Sequence, residues 1–90
     1  MFLARVVGDV VATIKHAELE RRKLLLVQPV GPDDQPRGAR VIAVDAVQAG
    51  VGDRVLVADE GNAAAQVLQR PRGPVRTVIV GIVDHVIEDA

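Results

Sequence analysis

The segments of this chain that look like β-strands are apolar on both of their faces. The two alternating sets of side chains in segment 76–84 are Val78, Val80 and Ile82 on one face and Ile79, Gly81 and Val83 on the other. A strand with one face in water alternates apolar with polar residues, and a small domain has too little interior to hide both faces of every strand. The second faces are therefore expected to meet other copies of the chain, which makes a self-assembling structural protein the first hypothesis.

Composition limits the class of protein further. The 90 residues predict one domain, residues 1–90, and with 49% hydrophobic but 1% aromatic residues its core must consist of Val, Leu, Ile and Ala. The formal net charge of −1 gives no global field that attracts nucleic acid or an anionic membrane. The chain has no cysteine, which excludes disulfides and thiolate chemistry and is consistent with a reducing cytoplasm.

The apolar N-terminus raises the question of a signal peptide. Arg5 and Asp9 interrupt the apolar run 1–15, and no basic region precedes it. No apolar stretch is long enough to span a bilayer. We therefore expect a cytoplasmic protein that is complete from its first residue and has no membrane partner.

The order of apolar segments and turn residues predicts a mainly β fold. Gly8 is expected to mark a bend or bulge in the first strand, and Asn62 is placed to cap one short helix over residues 62–68. The predicted strands are 1–15, 23–29, 39–45, 54–58 and 77–87, with an exposed loop over 30–38. Five strands and a helix between the fourth and fifth predict a small, closed, OB-like β-barrel, because closure removes unpaired edges.

A glycine-bounded turn spans residues 49–53. Gly50 and Gly52 are expected to supply positive φ or to permit close packing against a neighbouring subunit. The pattern is not a dinucleotide fingerprint, because Val55 stands where a third glycine is needed and the turn leads into a strand.

The residues needed for catalysis are almost absent. Ser, Cys, Tyr and Trp do not occur, the hydroxyl side chains are Thr13 and Thr77, and the imidazoles are His16 and His85. Thr77 and His85 would lie about 26 Å apart on one extended strand, which excludes a hydrogen bond between them. We therefore predict no catalytic site.

Cofactor and metal binding are equally unsupported by the pattern. The carboxylates are scattered over turns and strand ends, and no pair of His residues has the spacing of a zinc site. We expect no metal and no cofactor.

A barrel that binds single-stranded nucleic acid is the alternative function, because small five-stranded barrels often do so. Residues 20–23 and 70–72 form short basic clusters. Single-strand binding also needs aromatic platforms on which bases stack, and Phe2 is the only aromatic residue. The composition therefore argues against this function.

Ordered motifs along almost the whole chain resemble the EutN/CcmL family of bacterial microcompartment vertex proteins. The motifs are Ala4–Gly8, Val11–Lys15, Leu24–Pro29, Val44–Val57 and Val80–Asp84. The family usually carries glycine at the position of Gln48, arginine at the position of Ala65 and aspartate at the position of Arg76.

This resemblance implies a β-barrel that assembles into a cyclic homopentamer. Such pentamers would close the vertices of a polyhedral shell in the cytoplasm, with hexameric shell proteins as partners, and would have neither catalysis nor a cofactor. The candidate positions for turns or subunit contacts are Thr13, Lys15, Ala49, Gly50, Gly52, Asp53, Gly61 and Asn62.

Overall fold

The computed structural model describes residues 1–11, 23–59 and 76–87. These residues contain five β-strands rich in Val, Leu and Ile, whose side chains suit a pleated surface. The strands are β1 (Phe2–Asp9), β2 (Lys23–Pro29), β3 (Val41–Asp45), β4 (Arg54–Asp59) and β5 (Thr77–Ile82). The predicted helix over 62–68 lies outside the described residues. Within the described ranges, no helix has the length and apolarity needed to cross a membrane.

The strands form one closed barrel in the order β1-β2-β3-β5-β4. All neighbours are antiparallel except β3 and β5, which are parallel and meet at only two residue pairs, Val44 with Val78 and Asp45 with Ile79. Thr77 lies beside this short seam and donates its Oγ1–H to the carbonyl oxygen of Ile42. The prediction of a five-stranded closed β-barrel is confirmed.

The predicted strand boundaries differ from the observed ones at four strands. β2 has the predicted bounds, whereas β1 ends at Asp9, β3 begins at Val41, β4 continues to Asp59 and β5 ends at Ile82. β5 was predicted too long because apolar residues continue to Ile87, but its pairing partner β4 begins at Arg54. The bond from the Val83 N–H to the Arg54 carbonyl oxygen (2.8 Å) is therefore the last one of this ladder.

One set of alternating side chains fills the barrel. The members of this inner cluster are aliphatic and 0–1% exposed, and Phe2, Val41 and Val47 pack against them. The cluster consists of Ala4, Val6, Leu25, Val27, Ala43, Ala49, Val55, Val57 and Ile79. Mostly small and β-branched side chains fill this narrow interior, and Phe2 is the one aromatic side chain that packs against them.

A second apolar cluster lies on the outer side of the sheet. Val44 and Val78 are 0% exposed and Leu24 is 7% exposed within the single chain, with Val10 and Val80 packed against them. The expectation that the second faces of the strands meet other copies is therefore wrong at these three positions. The chain itself covers this part of the outer surface, so the outer apolar set is divided between a covered region and a more exposed one.

Two irregularities bend the sheet. The register of β1 against β2 shifts between Val6 and Gly8, which confirms the predicted bulge at Gly8. The register of β4 against β5 shifts so that Leu56 pairs with Gly81 and Val57 with Ile79. Val80 is therefore the extra residue of a second bulge, which increases local twist.

Candidate functional site

The segment between β3 and β4 is held from both sides by polar contacts. The Asp45 side chain, 1% exposed, accepts a hydrogen bond at Oδ1 from the Val47 N–H (3.0 Å). Lys23 places its Nζ 3.7 Å from Asp45 Oδ2 and donates to the Ala49 carbonyl oxygen at 2.7 Å. Ala49 is itself buried in the inner cluster. These contacts fix where the chain leaves the barrel after β3.

The following residues form a turn that closes on itself. The Gly50 N–H donates to Asp53 Oδ2 (2.8 Å), and the Asp53 N–H donates to the Gly50 carbonyl oxygen (3.0 Å). Gly52 has a φ of 95°, as expected for a glycine in this turn. Gly50 is not among the described residues with positive φ, so the expectation of positive φ is wrong there. A role of Gly50 in close packing stays a prediction.

The second left-handed residue of this segment is not a glycine. Gln48 has a φ of 60°, a region in which side chains other than glycine are strained. The EutN/CcmL resemblance places glycine at this position, and the backbone conformation gives the physical reason for that preference. The family pattern therefore indicates a left-handed backbone at this position, whereas the glutamine itself does not.

We expect Gln48→Gly to stabilise the protein. Relief of the left-handed strain outweighs the greater freedom of the unfolded chain, so the free energy of unfolding should rise by about 0.5 kcal/mol. Urea denaturation at one fixed protein concentration measures the change. The matched control is Ala46→Gly in the same turn, which relieves no positive φ and should lower stability by about 0.5–1 kcal/mol. Equal effects of the two variants would contradict the strain at Gln48.

Arg5 joins three parts of the chain on the outer surface. Its Nη1 donates to the Gly52 carbonyl oxygen and its Nη2 donates to Asp34 Oδ2, both at 2.7 Å. Asp34 lies in the loop between β2 and β3 with a φ of 66°. The turn is also bonded to β1 by the backbone of Val6, whose carbonyl oxygen accepts from the Gly52 N–H at 2.9 Å. No local sequence pattern indicates this role of Arg5, because its partners lie 29 and 47 positions away.

The outer face of β1, β4 and β5 is less well covered than the second apolar cluster. Leu3 pairs with Leu56 across β1 and β4, and Leu56 pairs with Gly81 across β4 and β5. Both leucines are half-buried. They alternate with neighbours that pack toward the inner cluster, so their side chains lie on the outer face. The next cross-strand pair on this outer face is Arg5 with Arg54.

Four of the candidate positions are not placed by the structure. Thr13, Lys15, Gly61 and Asn62 lie outside the described residues. Ala49, Gly50, Gly52 and Asp53 all belong to the turn region described above, and their part in a subunit contact stays a prediction.

The described residues bring together no catalytic or metal-binding group. Thr77 uses its hydroxyl at the β3–β5 seam, whereas His85 follows β5 and is exposed. Within residues 1–11, 23–59 and 76–87, no three His, Cys, Asp or Glu side chains form a group that could hold a metal ion.

A closed aliphatic barrel whose turns are held by hydrogen bonds defines a small β-barrel protein. The EutN_CcmL family model, described as "Ethanolamine utilisation protein EutN/carboxysome", matches residues 1–84. The chain belongs to the EutN/CcmL family.

The chain is similar to relatives and to solved structures over nearly its full length. The chain is 38% identical over 87 residues to the bacterial microcompartment shell vertex protein EutN of Escherichia coli, which covers 97% of this chain and 90% of the relative. It is 42% identical over 86 residues to the carboxysome shell vertex protein CcmL of a Synechocystis species, with 96% and 85% covered. The solved structure of GrpN, a pentameric microcompartment shell protein from Rhodospirillum rubrum, superposes with a TM-score of 0.84 at 36% identity, covering 99% of this chain and 100% of that chain.

Proposed function

We propose that this protein is a structural component of a bacterial microcompartment shell in the cytoplasm, and that five copies form a cyclic ring at each vertex. The observation that carries the proposal is the likeness to GrpN over both complete chains, because GrpN is a pentameric shell protein. The vertex role described for the EutN and CcmL relatives supports it further.

The physical basis of such a ring is burial of apolar surface between barrels. In a cyclic ring each copy uses two different surfaces, and the number of copies is set by the angle at which the contacts close. Burying about 500 Å² of apolar surface per contact would contribute roughly 12 kcal/mol at 25 cal/mol per Å², enough to offset much of the cost of association. Five-fold units supply curvature that a flat sheet of hexamers lacks.

Contacts with hexameric shell proteins complete the proposed role. The pentamer presents the same edge to its surroundings five times, so weak contacts with hexamers act together and avidity exceeds the strength of any one of them.

The proposed role includes no catalysis. The chain offers Thr13 and Thr77 as its only hydroxyl side chains, and the relatives named above are shell vertex proteins. The alternative of single-strand nucleic-acid binding gains no support, because the single aromatic side chain, Phe2, packs against the inner cluster. It therefore offers no stacking platform to a base.

Native mass spectrometry tests the proposal. We expect particles of five chains at micromolar concentration in a volatile buffer of near-physiological ionic strength. Dilution into the nanomolar range measures how tightly the ring holds. A predominant monomer or dimer at micromolar concentration would contradict the proposal, and a hexamer would remove the vertex role.

A further inference from the structure

Gly81 leaves space beside β5 that a side chain would fill. It lies inside β5, where glycine loses packing and weakens the strand. The positive-φ glycines among the described residues are Gly38 and Gly52, so the bulge beside Gly81 needs no left-handed residue. A Cβ atom built on Gly81 would meet no described atom within 4 Å, so crowding does not exclude a side chain either. A strand glycine marks a bulge, a tight bend or the close approach of another backbone, and the open space over Gly81 admits the last of these.

The surroundings of Gly81 are those of a contact surface. It pairs with Leu56, which in turn pairs with Leu3, and the two half-buried leucines form an apolar strip across β1 and β4. The missing side chain of Gly81 lies next to this strip, so the backbone of β5 is open to contact from outside the described residues. Fully desolvated apolar centres of this kind are typical of protein interfaces.

Arg54 beside this strip has unused hydrogen-bonding capacity. Its Nε is buried and has no partner in the described part of the chain, and its Nη2 reaches only the Asp84 carbonyl oxygen at 3.4 Å. Its cross-strand neighbour is Arg5, whose charge is compensated by Asp34 at 2.7 Å. Like charges opposite each other are unfavourable, so Arg54 needs an anion more than an exposed arginine does.

We propose that the outer face formed by Leu3, Leu56, Gly81 and Arg54 is one side of the contact between adjacent copies of this chain, and that Arg54 binds a carboxylate of the adjacent copy. The inference rests on the proposed ring. In this contact the backbone of the neighbour approaches Gly81, and Leu3 and Leu56 become buried. The guanidinium of Arg54 pairs with a carboxylate in the bidentate geometry that arginine favours.

A second copy is the occupant that the observations favour. Every member of a cyclic ring needs two unlike surfaces, and this face offers a neighbour the guanidinium of Arg54, whose Nε has no partner among the described residues. The chain carries 12 Asp and Glu residues, so a second copy has carboxylates for this pairing.

Gly81→Leu is the first test. Because no described atom crowds the position, the variant should retain the circular dichroism spectrum of the wild type. Its added side chain should prevent the close approach of the neighbouring copy, so native mass spectrometry should show mostly monomer. The matched control is Gly8→Val on the β1–β2 side, where a Cβ would meet Leu26 at an ordinary 3.9 Å and the pentamer should persist.

Arg54→Glu is the second test, with Arg40→Glu as its control. Arg40 is exposed and bonds the Gln28 side chain, so the same change of charge there should leave the ring intact. Loss of a buried, paired charge at a protein contact weakens it by roughly thirtyfold or more, and Arg54→Glu should shift the midpoint of dissociation upon dilution by at least that factor.

The outcomes separate this inference from the proposed function. A wild-type protein that is not a pentamer would overturn both. A wild-type pentamer together with folded, fully pentameric Gly81→Leu and Arg54→Glu variants would overturn the assignment of this face alone. Equal loss of the ring in the test and control variants would also overturn it, because the effect would then not belong to this face.

Discussion

Ile79→Asp is expected to abolish folding of the barrel. Ile79 is 0% exposed and belongs to the inner cluster, so the substitution places an unpaired carboxylate among aliphatic side chains. An uncompensated buried charge costs about 3–5 kcal/mol, and loss of the packed isoleucine adds about 2–5 kcal/mol, against a total stability of about 5–15 kcal/mol. Circular dichroism should show no cooperative thermal transition.

The control for this prediction is the same change three positions later. Ile82 is 45% exposed at the end of the same strand, so Ile82→Asp leaves the new carboxylate in water and should keep a cooperative transition. An Ile79→Asp variant that melts like the wild type would show that β5 does not present Ile79 to the barrel interior.

Val44→Asp is expected to unfold the chain even though its side chain lies outside the barrel. Val44 is 0% exposed in the second apolar cluster, whereas Ile42, on the same face of β3, is 43% exposed. Val44→Asp should therefore cost about 3–5 kcal/mol or more, and Ile42→Asp should stay within about 1 kcal/mol of the wild type. Urea denaturation at one protein concentration compares them.

The comparison of Val44→Asp with Ile42→Asp also distinguishes two explanations of why the strands are apolar on both faces. If the single chain covers the outer cluster, Val44→Asp destabilises the isolated chain. If other copies covered it, Val44→Asp would leave a folded monomer. The stability of that monomer in urea would match that of Ile42→Asp. The second result would contradict the burial of Val44 within one chain.

The barrel could be predicted from sequence because its determinants are local. The segment 23–29 begins after a charged stretch and ends at Pro29 before a loop rich in turn residues, and its strand has the predicted bounds. Gly8 predicted the bulge for the same reason, since a glycine inside a strand often marks one. The last strand was predicted too long, because apolar character continues past the point at which its partner β4 begins, at Arg54.

The details of the candidate site depend on contacts that no local pattern contains. The bond between Arg5 and Asp34 joins residues 29 positions apart, and either residue alone resembles an ordinary surface charge. Gln48 gives no sign of its left-handed backbone, since glutamine is common in every kind of segment. In the sequence, Gly81 resembles one more apolar position of a strand. Only the register of β4 against β5 shows which residues surround it.

The short parallel pairing between β3 and β5 determines which part of the barrel closes last during synthesis. During synthesis, β1, β2 and β3 leave the ribosome first, and one edge of β3 has no strand beside it until β5 follows. At 5–20 residues per second, that interval lasts about two to eight seconds. For that time the nascent chain carries an open strand edge of the kind that pairs with other chains, and the bond from Thr77 to the Ile42 carbonyl oxygen forms only when the last strand arrives and closes the barrel.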